Sequence, residues 1–303
     1  MEKIFKNKLL LGLVLSNFVS LTIVGLNTYL NTQKDGVLIF SEFVIIPLFM
    51  GFIAAWFWKD LNLKGKALTG YSVLNGLIAI LLSYIFLREG FICLIIVSPL
   101  IIGFVITGAF IGRAILKKNN QKLNVSFVGL LLLVFVIDST SEHNYENMVS
   151  DEVTVNARPD EIWKHVIAFD KIKEKNNYWL FKVGMPSPMQ TTVSEKKLGA
   201  NRKCIFSNGY IFDEKIVAFE VNKDLTFDII GQPKDPEIMG HIDIKKGQFL
   251  LKDNGDGTTT LIGNSWYKLH VFPIWYYDLW AESITRNVHI RVMEHIKQLS
   301  EAK

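Results

Sequence analysis

The sequence predicts two parts of different fold class. The first is an all-α membrane bundle of about five spans, and the second is an α+β domain in which a curved antiparallel sheet wraps a long C-terminal helix. Five apolar runs fill the first 138 residues, and no comparable run follows them. Beyond Asp138 the predicted order is strand, helix, about six strands and one long helix, which is an α+β layout.

Four of the apolar runs are long enough to cross a membrane, since about 30 Å of hydrocarbon takes roughly 20 helical residues. They cover residues 9–30, 37–58, 67–87 and 91–116. Lysines precede the first run, as they do in a signal peptide. Its apolar stretch is too long for one and no small-residue cleavage site follows, so we expect a retained span.

The fifth run is the shortest. Val125–Ile137 is strongly apolar, but this length is also typical of an interfacial or re-entrant segment. Extended to residues 123–140, the run approaches spanning length, and its apolarity favours insertion. The predicted transmembrane domain is therefore residues 1–138 with five spans, and four spans remain the alternative.

Basic residues are concentrated in the first part of the chain. Lys and Arg exceed Asp and Glu by six over residues 1–138 and fall short by two over the remainder, which gives the net charge of +4. The excess lies in alternate loops, so the positive-inside rule places the N-terminus in the cytoplasm. Five spans then make the C-terminal domain extracytoplasmic, whereas four make it cytoplasmic. Because the basic residues orient spans, we expect no nucleic-acid partner.

The C-terminal domain is predicted over residues 151–303, after a polar and acidic linker at 139–150. A strand at 152–156 precedes a helix that opens with Arg158-Pro159-Asp160-Glu161. Pro is tolerated in the first turn of a helix, and acidic residues suit its positive end.

Strands and one long helix account for the rest of this domain. Strand candidates separated by turn signals run from 180–184 to 258–269, and the final helix is predicted over about 273–300. The predicted buried stripe of this helix consists of Ile284, Val288, Val292, Ile296 and Leu299.

Residues 152–170 resemble the opening of START-like (SRPBCC) domains, and more narrowly the branch labelled polyketide cyclase/dehydrase and lipid transport. In that family a strand leads into A-x-P-x-x-x-W, which is matched here from Ala157 to Trp163. Residues 198–202 and 214–216 are similar to its second and third hairpins, and residues 287–299 to its closing helix.

The resemblance covers roughly residues 151–300, about half of the chain. It implies a helix-grip fold with a cavity between the sheet and the final helix, usually for an apolar or amphipathic ligand. The family has no shared catalytic motif, so the resemblance implies no catalytic residue.

The densest aromatic cluster lies at the end of the last predicted strand and the start of the final helix. It fits the mouth of a cavity for a lipid-like ligand, an interfacial belt on lipid headgroups, or ordinary packing of strand on helix. The candidate ligand-binding residues in this cluster are Trp266, Tyr267, Trp275, Tyr277 and Trp280.

Three residues are candidates for acid–base chemistry. His289 and Arg286 lie three positions apart and share a helix face, so an enzyme would use His289 as general acid or base and Arg286 as an oxyanion or carboxylate partner. His270 is the third candidate, and a solvated helix flank is the alternative interpretation. The two cysteines form no zinc-type cluster, so we expect no metal site and no cofactor.

These observations favour a multi-pass protein of the cell membrane whose C-terminal domain binds a hydrophobic or lipid-like ligand at the membrane surface. Its expected partners are the bilayer and that ligand. Two alternatives stay open: a membrane-tethered cyclase, dehydratase or hydrolase acting in the same cavity, and a non-catalytic assembly or signalling module. The sequence makes no prediction of oligomeric state.

Overall fold

The fold is that of a computed structural model, which describes residues 2–30, 41–87, 90–117, 121–138, 144–175, 177–233 and 241–302. The chain divides into two compact units. The first unit comprises Met1–His143 and Val271–Pro273, and the second comprises Asn144–His270 and Ile274–Lys303.

The described part of the first unit is helical. Its α-helices are α1 (Glu2–Leu30), α2 (Ile46–Trp58), α3 (Gly65–Leu82), α4 (Phe91–Lys117) and α5 (Gln121–Asp138). A π-helical turn at Ser41–Ile45 precedes α2, another at Ser83–Leu87 follows α3, and a 3-10 turn covers Lys59–Leu61.

Four of these segments are long and apolar enough to cross a membrane. They are Lys6–Leu26, Phe43–Leu61, Gly65–Phe86 and Phe91–Lys117, and the apolar segment Val125–Asp138 in α5 is shorter. Each of these five segments overlaps one of the predicted spans. Residues 37–40 of the second predicted span and 139–140 of the fifth lie outside the described residues. The lysine- and arginine-poor loops on which the predicted orientation depends, at 31–40 and 88–89, also lie outside them.

Helices α2 and α4 pack with their backbones in contact. A Cβ atom on Gly108 would overlap the backbone of Leu48, and one on Gly112 would lie 2.9 Å from Cβ of Ala55. The absence of a side chain on glycine therefore permits this close approach, as small residues four positions apart do in membrane helices generally.

A buried polar contact links α1 to α3. Nδ2 of Asn17 donates to Oδ1 of Asn75 at 2.7 Å, and the Ser16 hydroxyl donates to the same oxygen at 3.1 Å. All three side chains are buried. Polar groups in an apolar environment need such partners, so this contact fixes the two helices against each other.

The second unit is a seven-stranded antiparallel sheet with one long helix, the helix-grip arrangement that was predicted. The sheet order is β1-β7-β6-β5-β4-β3-β2. The strands are β1 (Tyr145–Val155), β2 (Pro188–Val193), β3 (Asn201–Phe206), β4 (Ile211–Glu220), β5 (Asp224–Gly231), β6 (Ile242–Asp253) and β7 (Thr259–Leu269). The helices are α6 (Pro159–Ile167), α7 (Trp179–Lys182) and α8 (Ile274–Glu301).

The largest differences from prediction concern two elements. β1 begins at Tyr145, so it includes the second half of the predicted linker, and residues 139–143 lie outside the described residues. The first half of β1 was not predicted because polar residues occupy its inner face. The predicted strand at 180–184 instead contains α7, since a short apolar run does not distinguish strand from helix.

The apolar core lies between the sheet and the C-terminal half of α8. Val292, Met293 and Ile296 of the helix pack there against side chains such as Leu261 and Phe249. The predicted buried stripe of α8 is therefore correct toward the C-terminus. Nearer the N-terminus it is wrong: Thr285 and His289 are buried, whereas Ile284 and Val288 are only partly so. The reason is that this part of α8 faces polar groups of the sheet.

Candidate functional site

The inner face of the sheet carries a row of polar residues beneath α8. Side chains alternate between the two faces of a strand, so Asn147 and Asp151 of β1 lie on the same face as buried Val149. In β7, Ser265 and Tyr267 likewise share the face of Leu261. Register pairs Val149 with Ser265 and Asn147 with Tyr267, so the four polar side chains are neighbours across two adjacent strands.

One group of contacts joins Asp151, Ser265 and His289. Nε2 of His289 lies 2.7 Å from Oγ of Ser265, and its Nδ1 lies 2.9 Å from Oδ2 of Asp151. An ionised carboxylate only accepts hydrogen bonds, so Nδ1 carries the proton and donates the hydrogen bond to Asp151. Nε2 is then the acceptor for the Ser265 hydroxyl.

Burial and charge define the protonation state of this group. His289 is 5 % exposed, and burial lowers the pKa of its imidazole, opposed by Asp151 and assisted by Arg286. Nε of Arg286 lies 3.2 Å from the second carboxylate oxygen of Asp151, and its guanidinium also reaches Glu282. The imidazole is therefore neutral near pH 7, between a carboxylate and a hydroxyl.

A second group centres on Asp278, in the first turns of α8. Its Oδ1 accepts from the Tyr267 hydroxyl at 2.7 Å and from Nδ2 of Asn147 at 3.0 Å, and its Oδ2 lies 3.3 Å from the Tyr145 hydroxyl. Burial and the adjacent carboxylate raise the pKa of Tyr267, so this phenol stays protonated and donates. The two groups together fasten the N-terminal half of α8 to β1 and β7.

The predicted acid–base residues fall into two places. Arg286 and His289 both contact Asp151, so the structure brings these two together, with Arg286 half exposed and His289 buried. His270 lies elsewhere: Nε2 is 3.1 Å from Oδ2 of Asp243, and Nδ1 is 3.1 Å from Oδ1 of Asn144.

The predicted ligand-binding aromatics also separate. Trp266 and Tyr267 are consecutive in β7 and so point to opposite faces, with only Tyr267 fully buried. Trp275 is 67 % exposed, while Tyr277 and Trp280 are partly exposed. Since Trp266 and Tyr267 point to opposite faces of the sheet, the five residues do not share one surface, and their role in ligand binding stays a prediction.

Rings from α7 and α8 instead form a continuous run. Trp179 lies 6.3 Å from Trp280, which lies 6.5 Å from Tyr276, and Tyr276 lies 5.8 Å from Trp275 (ring centroids). Tyr178, which precedes Trp179, has its ring 6.4 Å away. We refer to these five residues as the aromatic run.

Tyr178 also lines a groove between α8 and the preceding residues 174, 175, 177 and 181. The groove has a volume of about 350 Å³. Apolar surface comes from Tyr178, Phe181 and Ile290, and charged groups come from residues including Arg291 and Glu294. Arg291 fixes one wall, because its guanidinium donates to the backbone carbonyls of Pro188 and Glu174. The groove therefore combines apolar and charged surface, and the hydrogen bonds of Arg291 hold its wall in place.

Sequence reasoning missed Asp151, Ser265, Asp278 and the groove. Asp151 and His289 are 138 positions apart, and no local motif relates them. The available signal was polar residues at alternate positions of a strand, which is ordinary for a solvent-facing surface. Among the described residues, no group of three or more His, Cys, Asp or Glu side chains could hold a metal ion.

The solved structures to which the chain is similar cover its C-terminal half. No family model matches the sequence, and no curated protein matches it. The chain is similar to norcoclaurine synthase from Thalictrum flavum, at 12% identity over 54% of this chain and 99% of the synthase, with a TM-score of 0.38. Solved proteins from Mesorhizobium loti and Nitrosospira multiformis are similar at 17% and 15% identity. They cover 50% and 52% of this chain, are themselves 96% and 100% covered, and have TM-scores of 0.34 and 0.33. Similarity at this level assigns no activity.

Proposed function

We propose that this chain is a multi-pass membrane protein whose helix-grip unit binds a hydrophobic or lipid-like ligand at the membrane surface. The observation that carries the proposal is the groove beside α8. Its volume of about 350 Å³ is within the range of small-molecule sites. Its lining combines a few apolar side chains with a larger number of charged and amide groups.

The walls of the groove suit an amphipathic ligand. The rings of Tyr178 and Phe181 and the side chain of Ile290 offer apolar contact, and each methylene that leaves water there contributes about 0.8 kcal/mol. Charged side chains in the same lining, such as Lys175 and Glu294, offer partners for a polar head. An apolar chain with a polar end satisfies both kinds of surface.

The aromatic run extends the apolar surface away from the groove. It leads from Tyr178 through Trp179 and Trp280 to Trp275 near the start of α8. Trp and Tyr favour the headgroup region of a bilayer, because their rings are apolar at one end and polar at the other. We assign this run as the path along which the tail of the ligand lies.

The proposed orientation has the N-terminus in the cytoplasm and the second unit on the opposite side. It depends on α5 crossing the bilayer together with the four longer helices. The basic residues that support it are concentrated in alternate loops of the first part of the chain.

A binding titration tests the proposal on the full chain in detergent. After lipid extraction, we expect saturable binding of an environment-sensitive fatty acid such as dansyl-undecanoic acid. Ile290→Trp fills the groove from an exposed position, so we expect it to weaken binding at least tenfold. Val217→Trp is the matched control, since Val217 is 40 % exposed on β4, away from the groove. Equal affinity in both variants, or no saturable binding to the wild type, would refute the proposal.

A further inference from the structure

Asp151, Ser265 and His289 have the connectivity of a nucleophile, its base and the group that orients the base. In such a triad one imidazole nitrogen accepts the hydroxyl proton, and the other donates to a buried carboxylate. Here Nε2 of His289 faces Ser265 at 2.7 Å and Nδ1 faces Asp151 at 2.9 Å. Both distances lie within the range expected for a nucleophile and its base.

Each member comes from a different element of the second unit. Asp151 lies on β1, Ser265 on the adjacent strand β7, and His289 on α8, which crosses above them. Packing of α8 against both strands holds the imidazole in place. Arg286 adds a second contact to Asp151, at 3.2 Å from its Oδ1, so the carboxylate is held from two sides.

Ser265 is more accessible than its two partners. β7 has partner strands on both sides, so its backbone is covered, yet Ser265 remains partly exposed. His289 and the Asp151 side chain are 5 % and 9 % exposed, which shields the base from water.

We propose that Ser265 is an activated nucleophile that takes the acyl group from a carboxylic ester, with His289 as general base and Asp151 as the residue that positions it. Oγ of Ser265 attacks the ester carbonyl carbon while its proton passes to Nε2 of His289. The carbon–oxygen bond to the alcohol then breaks, and His289 returns the proton to the departing oxygen. A water molecule, deprotonated by His289, releases the acid and restores Ser265.

The expected rate follows from the surroundings of Ser265. Backbone N–H groups of a strand with partners on both sides are used in the sheet, and Asn147 and Tyr267 donate to Asp278. General-base activation alone contributes about 10²–10⁴-fold. The structure therefore predicts a slow esterase whose nucleophile reacts readily with strong electrophiles.

Labelling of the full chain in detergent with a biotinylated fluorophosphonate tests this inference. Attack by Oγ on phosphorus expels fluoride, and the adduct is located by peptide mass spectrometry. We expect the adduct on Ser265, its loss in Ser265→Ala, and at least a tenfold slower reaction in His289→Gln and Asp151→Asn. The labelling rate should also fall with decreasing pH as His289 becomes protonated, an effect that a purely structural contact would not produce.

Two variants serve as controls. Ser150 is exposed on the opposite face of β1, so Ser150→Ala should leave labelling unchanged. Val217→Trp should also leave it unchanged, since Val217 is 40 % exposed on β4 and belongs neither to this site nor to the groove. A folded, monodisperse wild-type chain without an adduct at Ser265 would overturn the inference, as would labelling that is independent of pH and of His289.

Discussion

Oδ2 of Asp151 lies 2.9 Å from Nδ1 of His289, and this contact holds the middle of α8 against β1. On the C-terminal side of it the helix packs through apolar side chains such as Val292 and Ile296. On the N-terminal side the helix is held by hydrogen bonds instead, which Asp278 accepts from side chains of β1 and β7. The helix is thus fastened by two kinds of interaction, apolar packing toward its C-terminus and hydrogen bonds toward its N-terminus.

The buried imidazole predicts a pH-dependent stability. Burial lowers the pKa of folded His289 below the ordinary value of 6.5, so the unfolded chain binds a proton more readily. Stability should therefore be fully present above about pH 6.5 and fall as the pH decreases below it. Thermal unfolding of the full chain in detergent at pH 8 and pH 5 measures this. His289→Gln should reduce the stability difference between the two pH values. The remaining difference comes from other groups whose pKa values burial shifts, such as His165, His241 and Glu214. An unchanged difference would contradict the assignment.

Removal of one partner from a buried ion pair should be strongly destabilising. Arg202 and Glu214 form a buried pair between β3 and β4, and Arg202 also donates to the backbone carbonyl of Ile167. Arg202→Met leaves the carboxylate buried and unpaired, which costs about 3–5 kcal/mol. Chemical unfolding in detergent measures the loss, and the double variant Arg202→Met/Glu214→Leu should recover most of it.

The same two strands provide the control. Lys203 and Asp213 also pair at 3.7 Å, but both side chains are about half exposed. Lys203→Met should therefore change stability by at most about 1 kcal/mol. If both methionine variants lose equal stability, burial is not the cause.

Close packing of α2 and α4 predicts a sharp difference between two glycines of one helix. Gly108→Ala places a Cβ against the backbone of Leu48, and such overpacking costs about 1–3 kcal/mol or more. Gly103→Ala meets no atom within 4 Å and should be neutral or slightly stabilising. Thermal unfolding and monodispersity of the detergent-solubilised chain compare the two. Equal behaviour would argue against the close approach of the helices.

Reporter fusions test the number of spans. A reporter attached after Lys117 precedes α5, and one attached after Asn144 follows it. We expect the first in the cytoplasm and the second outside, since α5 is proposed to cross the membrane. Reporters in the same compartment would leave four spans and place the helix-grip unit in the cytoplasm.

Much of the fold was predictable because it follows from periodicity and turn signals. The four long apolar helices, the strand order along the chain and the final helix all carry such signals. β1 before Asp151 was not predictable, since Tyr145 and Asn147 stand where a core-facing strand usually has apolar residues. These polar residues are explained by Asp278, which contacts them in the fold although it lies more than 130 positions away in the sequence.

The candidate site was predictable only in part. His289 and Arg286 were identified from their spacing on one helix, but their common partner, Asp151, lies on a distant strand. Ser265 carries no local signal, because a serine in a strand is ordinary. The groove depends on how residues 177–181 pack against α8, which no periodicity in the sequence specifies.

Photo-crosslinking tests the binding proposal most directly. The full chain, reconstituted in vesicles that contain a fatty acid with a diazirine at its tail, is irradiated and digested, and adducts are mapped by mass spectrometry. We predict adducts on peptides that cover 174–181 and 274–298, competed by unlabelled fatty acid and reduced by Ile290→Trp but not by Val217→Trp. Adducts confined to the helices of the first unit, with none on the helix-grip unit, would contradict the proposal that the helix-grip unit binds the ligand.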